Sequence, residues 1–128
     1  MPQQTIKISG RKIVLKASGA TPRLYAVKFE NADIFQDIRK MSEECKTAIK
    51  ENRNFKAEEM RILENLIYIL IEPECDTPEE LLSQFTEGDK YIFINPIINL
   101  WNENMKTTVD SGKTKKKITD RLRQLFTC

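Results

Sequence analysis

Three acidic pairs and three cysteines are the side chains in this sequence that could carry chemistry. Glu43-Glu44, Glu58-Glu59 and Glu79-Glu80 are of the type that serves acid/base catalysis or holds a hard cation. Each falls on an expected solvent face or in the expected first turn of a helix, where acids are favourable for dipole reasons alone, so they read as surface and helix-end acids. Cys45, Cys75 and Cys128 form an odd set with no Cys-x-x-Cys spacing, and the 128-residue chain has no histidine to complete a zinc site or a Cys-His pair. This usage fits a reducing cytoplasm, with Cys45 as a small buried hydrophobe and Cys128 as a frayed end. Gly112-Lys113-Thr114 matches the close of a phosphate-binding loop, but the first glycine of that motif would fall at Thr107 and no apolar strand precedes it. With no Gly-x-Ser-x-Gly elbow either, the sequence predicts a protein that is not an enzyme and uses no metal, nucleotide or other cofactor.

Charge is the next asymmetry. From Ser111 onward stand Lys113, Lys115, Lys116, Lys117, Arg121 and Arg123 against Asp120 alone, a local +5 in a chain whose total is +2, which leaves residues 1–110 at −3. A mildly acidic body thus carries a basic appendage. These cations would attract phosphates, yet the nearest aromatic, Phe126, lies on the apolar side of the segment rather than among the charges. They read first as a solvated helix face, then as a protein-binding surface, and last as a nucleic-acid site. The longest apolar run, Leu66–Ile71, is far too short to span a membrane, and the first residues lack the charged and apolar regions of a signal peptide. The expectation is a soluble protein of the cytoplasm.

The elements that must position these residues are legible from periodicity. Residues 5–8 and 12–16 alternate apolar and polar around Ser9-Gly10-Arg11, as a β-hairpin does. A lone hairpin is marginal, so Ile6, Ile8, Ile13 and Leu15 must find cover on helices or on a partner chain, and they are candidate contact residues. Thr21-Pro22 reads as an N-cap followed by proline in the first turn of a short helix reaching about Phe29. A second helix starts near Asp33 with a stripe of Ile34, Ile38, Met41, Cys45, Ala48 and Ile49. A third, from Lys56 to Ile71, is apolar over most of its circumference and is predicted to be central. Thr77-Pro78-Glu79-Glu80 reads as a capping box opening a short helix that buries Leu81, Leu82 and Phe85 and stops by Gly88. A last core helix spans about Asp89 to Met105, with Pro96 either kinking it or marking a restart capped by Asn95. On that helix Trp101 is either a core anchor or an interaction hot spot.

The whole predicts an α+β, mostly helical fold, an N-terminal hairpin packed on a bundle of about five helices. Residues 1–107 form the domain, and residues 108–128 a basic linker and tail in which Ile118, Leu122, Leu125 and Phe126 recur at helical spacing.

Several of these features together carry a resemblance. The hairpin with its central Gly10, then Arg23, Tyr25 and Phe29, then Asp33-Ile34-Phe35, the apolar central helix, and Asn95-Pro96-Ile97-Ile98-Asn99-Leu100-Trp101 resemble the small tail assembly chaperones of long-tailed bacteriophages over residues 5–107. The resemblance implies a non-catalytic protein that binds the tape measure protein, keeps it soluble and helps tail tube subunits assemble around it. It also implies action in the cytoplasm of the infected or lysogenic host, absence from the mature virion, and in many relatives a longer frameshifted form. Self-association is a further expectation, with Ile6, Ile8, Ile13, Leu15, Trp101, Lys115, Lys116, Lys117, Arg121 and Arg123 as candidate contacts. The alternatives are a small nucleic-acid-binding regulator using the basic tail, or a structural head–tail protein.

Overall fold

The computed structural model describes residues 2–71 and 77–107. The chain opens with strands β1 (Gln3–Ile8) and β2 (Arg11–Lys16), an antiparallel pair in which Ile6 faces Ile13 and Gln4 faces Leu15. Ser9 and Gly10 both take positive φ, 52° and 78°, the left-handed pair that matches the twist of a two-residue hairpin. Among the described residues six helices follow: α1 (Thr21–Lys28), α2 (Ile34–Glu51), α3 (Ala57–Leu70), α4 (Pro78–Leu82), α5 (Glu87–Ile92) and α6 (Ile94–Asn104). The α+β, mostly helical architecture is the one the sequence predicts.

Helix ends follow local chemistry, with three departures from expectation. Asp33 caps α2 by accepting from the Phe35 and Gln36 amides, and Asn52 closes the helix in the left-handed conformation. At α1 the cap position is Ala20 rather than Thr21; Thr21 is buried and its hydroxyl instead accepts from the Ser18 amide at 2.9 Å. Thr77 accepts from the Glu80 amide as expected, but the full reciprocal box forms one helix later, between Thr86 and Asp89, and places Gly88 inside α5 rather than at a stop. The last helix divides at Phe93, ahead of both Asn95 and Pro96. Pro96 then lies in the first turn of α6, where a missing N–H costs no helical bond.

Helix α3 is central, touching β2 and every other helix. Helix α2 packs against it and buries Ile34, Ile38, Met41, Cys45 and Ala48 along one stripe. Ile49, placed on that stripe by spacing, is 74% exposed. Cys45 is buried as expected, but it is not a simple hydrophobe, because its sulfur is half of a disulfide. Helix α6 covers the hairpin. Ile8, Ile13 and Leu15 are buried and Ile6 is half-buried against the same core.

Candidate partner-binding surface

The hairpin's apolar side chains pack on this chain's own helix α6: Ile8, Ile13 and Leu15 are buried in the core, and Ile6 is half-buried against it. Packing on α6 satisfies the apolar demand that a free hairpin would place on a partner. What the hairpin does offer is backbone. Among the described residues β1 pairs only with β2, while the far edge of β2 is bridged at Leu15 by Ile71, the residue that ends α3. Among the described residues the outer edge of β1 is unpaired, the kind of edge on which one more strand can form.

Trp101 is likewise core. It is 1% exposed, it meets the ring of Phe35 edge-on at 5.5 Å, and its indole N–H finds no acceptor among the described residues. The candidates Lys115, Lys116, Lys117, Arg121 and Arg123 lie outside the described residues.

Exposed apolar surface falls elsewhere. Helix α1 turns Thr21 and Tyr25 inward and leaves Leu24 (56% exposed) and Val27 (79% exposed), three residues apart, on its outer face. Its anchor is Tyr25, whose phenol donates to Asp37 Oδ2 at 2.7 Å and whose ring packs on Phe29. Burial, reinforced by the Asp37 carboxylate, pushes the Tyr25 phenol far above the usual tyrosine range, so α1 is held by a permanently neutral hydroxyl. Of the residues that carry the resemblance, Tyr25 is fully buried, Phe29 half-buried and Arg23 exposed.

Two larger depressions lie on the surface of the described residues. A groove of about 630 Å³ opens where the end of α2 meets the α5–α6 junction, with Cys45, Ala48, Ile49, Phe55, Tyr91 and Ile94 among its walls. Tyr91 fixes one wall, its hydroxyl accepting from the Phe55 amide at 3.0 Å. A cleft of about 720 Å³ lies between α2, α3 and α4, where Lys28, Lys40 and Arg61 alternate with Glu30, Glu58 and Glu79. Interspersed signs of this kind select no single charge on a ligand.

Two ionic clusters brace these walls. Glu44 is 7% exposed, which corrects its assignment to a solvent face, and both its oxygens are taken by Arg53. The Arg53 guanidinium holds the carboxyl down at about 2 against the opposing effect of burial, with help from the Lys56 amide. The signal was present in the spacing, since Glu44 stands three residues after Met41 and four before Ala48 on the edge of the stripe. Lys90 is also buried and ion-paired with Glu64 and Glu87; burial alone would lower its pKa, but the two carboxylates outweigh it and raise it. Both clusters are fully partnered and read as braces rather than as reactive groups.

Among the described residues no group of three or more His, Cys, Asp or Glu is disposed to hold a metal ion, and no helix is long and apolar enough to cross a membrane. No family model, curated protein or solved structure matches the chain.

Proposed function

We propose that this protein is a tail assembly chaperone of a long-tailed bacteriophage, which binds the tape measure protein, keeps it soluble and helps tail tube subunits assemble around it in the host cytoplasm. The observation that supports this reading is the outward pair Leu24 and Val27 on α1, the helix that also carries Arg23 and Tyr25 of the resemblance. A holdase must present apolar surface without aggregating, and here that surface is a short helical stripe within a chain that is 31% charged. The open β1 edge adds a second, main-chain mode of capture for an extended segment.

Coexpression with a tape-measure-like protein tests the reading. The wild-type chain keeps that protein soluble and co-purifies with it, and the complex survives about 0.5 M salt because apolar contacts are not screened. The double variant Leu24→Asp/Val27→Asp folds normally, since both side chains are exposed, but no longer retains the partner. Submicromolar binding of duplex DNA or RNA, abolished by charge reversal at Lys115, Lys116 and Lys117 with no effect on partner solubility, would replace this reading with the nucleic-acid one.

A further inference from the structure

We propose that two copies of this chain pair through their β1 strands in one register, with Thr5 of each copy on the two-fold axis and Gln3 opposite Lys7 of the other copy. The inference needs only a second copy and is independent of the functional reading.

Hydrogen-bond parity along the hairpin decides which main-chain groups face outward. The turn at Ser9 and Gly10 sets Ile8 against Arg11, and at the other end the Ala17 amide donates to the Pro2 carbonyl at 3.2 Å. Bonded and unbonded pairs alternate in an antiparallel ladder, so Pro2, Gln4, Ile6 and Ile8 turn their main-chain groups toward β2. The N–H and C=O of Gln3, Thr5 and Lys7 therefore point away from it, and among the described residues they meet no partner. The side chains of the same three residues are exposed, while Gln4 and Ile6 are half-buried.

Such an edge is self-complementary, since a second β1 running antiparallel presents donors and acceptors at the same spacing. Setting Thr5 against Thr5 of the second copy pairs Gln3 with Lys7 and Lys7 with Gln3, so every outward N–H and C=O of the strand is satisfied. Other registers lose this match. A slip of one residue sets outward groups against inward ones. A slip of two toward the turn brings Gln3 against Ser9, whose φ of 52° is not extended, and the opposite slip carries Lys7 past Gln3, the first residue of the strand. A slip of four toward the turn opposes Lys7 to Lys7, like charges that repel across a strand pair.

Side chains favour the same register. On the exposed face it lays the two Thr5 hydroxyls side by side, and it gives each Lys7 ammonium, which faces Lys12 within its own hairpin, the Gln3 carboxamide oxygen of the second copy. On the other face Gln4 lies opposite Ile6, and the two half-buried Ile6 side chains are diagonal neighbours. A contact made by one strand edge is small, so the dimer is weak and reversible. While it lasts the β1 edge takes no other extended segment, and self-pairing and strand capture exclude one another.

The test is sedimentation of the full chain from low micromolar to millimolar concentration, with residue-resolved amide exchange at both ends of that range. The expected result is a dimer that dissociates on dilution, with the Gln4, Ile6 and Ile8 amides slow throughout and those of Gln3, Thr5 and Lys7 slow only at high concentration. Thr5→Pro removes an outward N–H from each copy and no bond to β2, so it should stay folded and dimerise roughly 10–100-fold more weakly. Gln3→Glu sets a carboxylate opposite Lys7 on both sides of the axis and should tighten the dimer roughly 2–30-fold at low salt. A monomer throughout, exchange of the Gln3, Thr5 and Lys7 amides that ignores concentration, or a folded Thr5→Pro that dimerises like the wild type would overturn the proposal. So would a Gln3→Glu dimer no tighter than the wild type, and that comparison decides alone if Thr5→Pro fails to fold.

Discussion

Arg53 grips Glu44 with two nitrogens at once, Nη1 donating to Oε2 at 2.9 Å and Nη2 to Oε1 at 3.0 Å, and the Lys56 amide completes the clasp at 2.8 Å. The end of α2 is thereby tied to the start of α3 across the turn at 52–55. Because the carboxyl pKa falls from 4.5 unfolded to about 2 folded, the stabilisation is fully present above pH 4.5 and drains away as pH falls toward 2. We expect Glu44→Gln to lose about 2–3 kcal/mol at neutral pH, and urea melts to show the gap to wild type narrowing between pH 5 and pH 2. An unchanged gap across that range would mean that the clasp does not carry the acid sensitivity.

Trp101 separates packing from hydrogen bonding. Its N–H has no acceptor among the described residues, so Trp101→Phe sacrifices only volume and should cost about 1–2 kcal/mol. Trp101→Ala opens a cavity in the core and should cost about 3–5 kcal/mol. Denaturant midpoints for the two variants check the ratio, and equal losses would show that the N–H has a partner after all.

The stripe of Ile34, Ile38, Met41, Cys45 and Ala48 and the central place of α3 were legible because helical periodicity reports directly which side a residue turns inward. Ile49 departs from the stripe because one residue of spacing turns a side chain by about 100°, and it is left exposed at the last turn of α2 among the described residues. Glu44 reads as a surface acid because carboxylates ordinarily face solvent; its spacing from Met41 and Ala48 marks it at the edge of the stripe, but only the fold-back of Arg53 from beyond the helix end supplies the partner that lets it be buried. The division at Phe93 was missed because proline drew attention to residue 96, although a proline in a first turn interrupts nothing. The contact surface was the least legible part. Alternation marks Ile6, Ile8, Ile13 and Leu15 as needing cover, but only the tertiary placement of α6 decides that the cover is internal.

The domain boundary near Thr107 remains an expectation from composition, and it yields a direct outcome. The buried core cluster runs from Ile8 to Trp101. A chain ending at Thr107 should keep its helical circular dichroism and melt cooperatively. A truncated chain that fails to fold would make Ile118, Leu122 and Phe126 part of the core.

Association through the open strand is testable by sedimentation over a wide concentration range. We expect reversible self-association that weakens in Gln3→Lys/Thr5→Lys, because exposed lysines on an edge strand oppose pairing while leaving the core untouched. A monomer at every concentration, with both strands protected from hydrogen exchange, would remove the β1 edge as a contact.

The bridge between Leu15 and Ile71 gives the hairpin a direction of growth. With β2 blocked at that point and β1 unpaired among the described residues, a second copy that adds to this sheet edge joins β1 to β1, about a two-fold axis. The product is a four-stranded sheet with a β2 strand at each margin and no free β1 edge left to recruit a third molecule. A self-pairing protein built this way terminates at two copies instead of propagating into a filament.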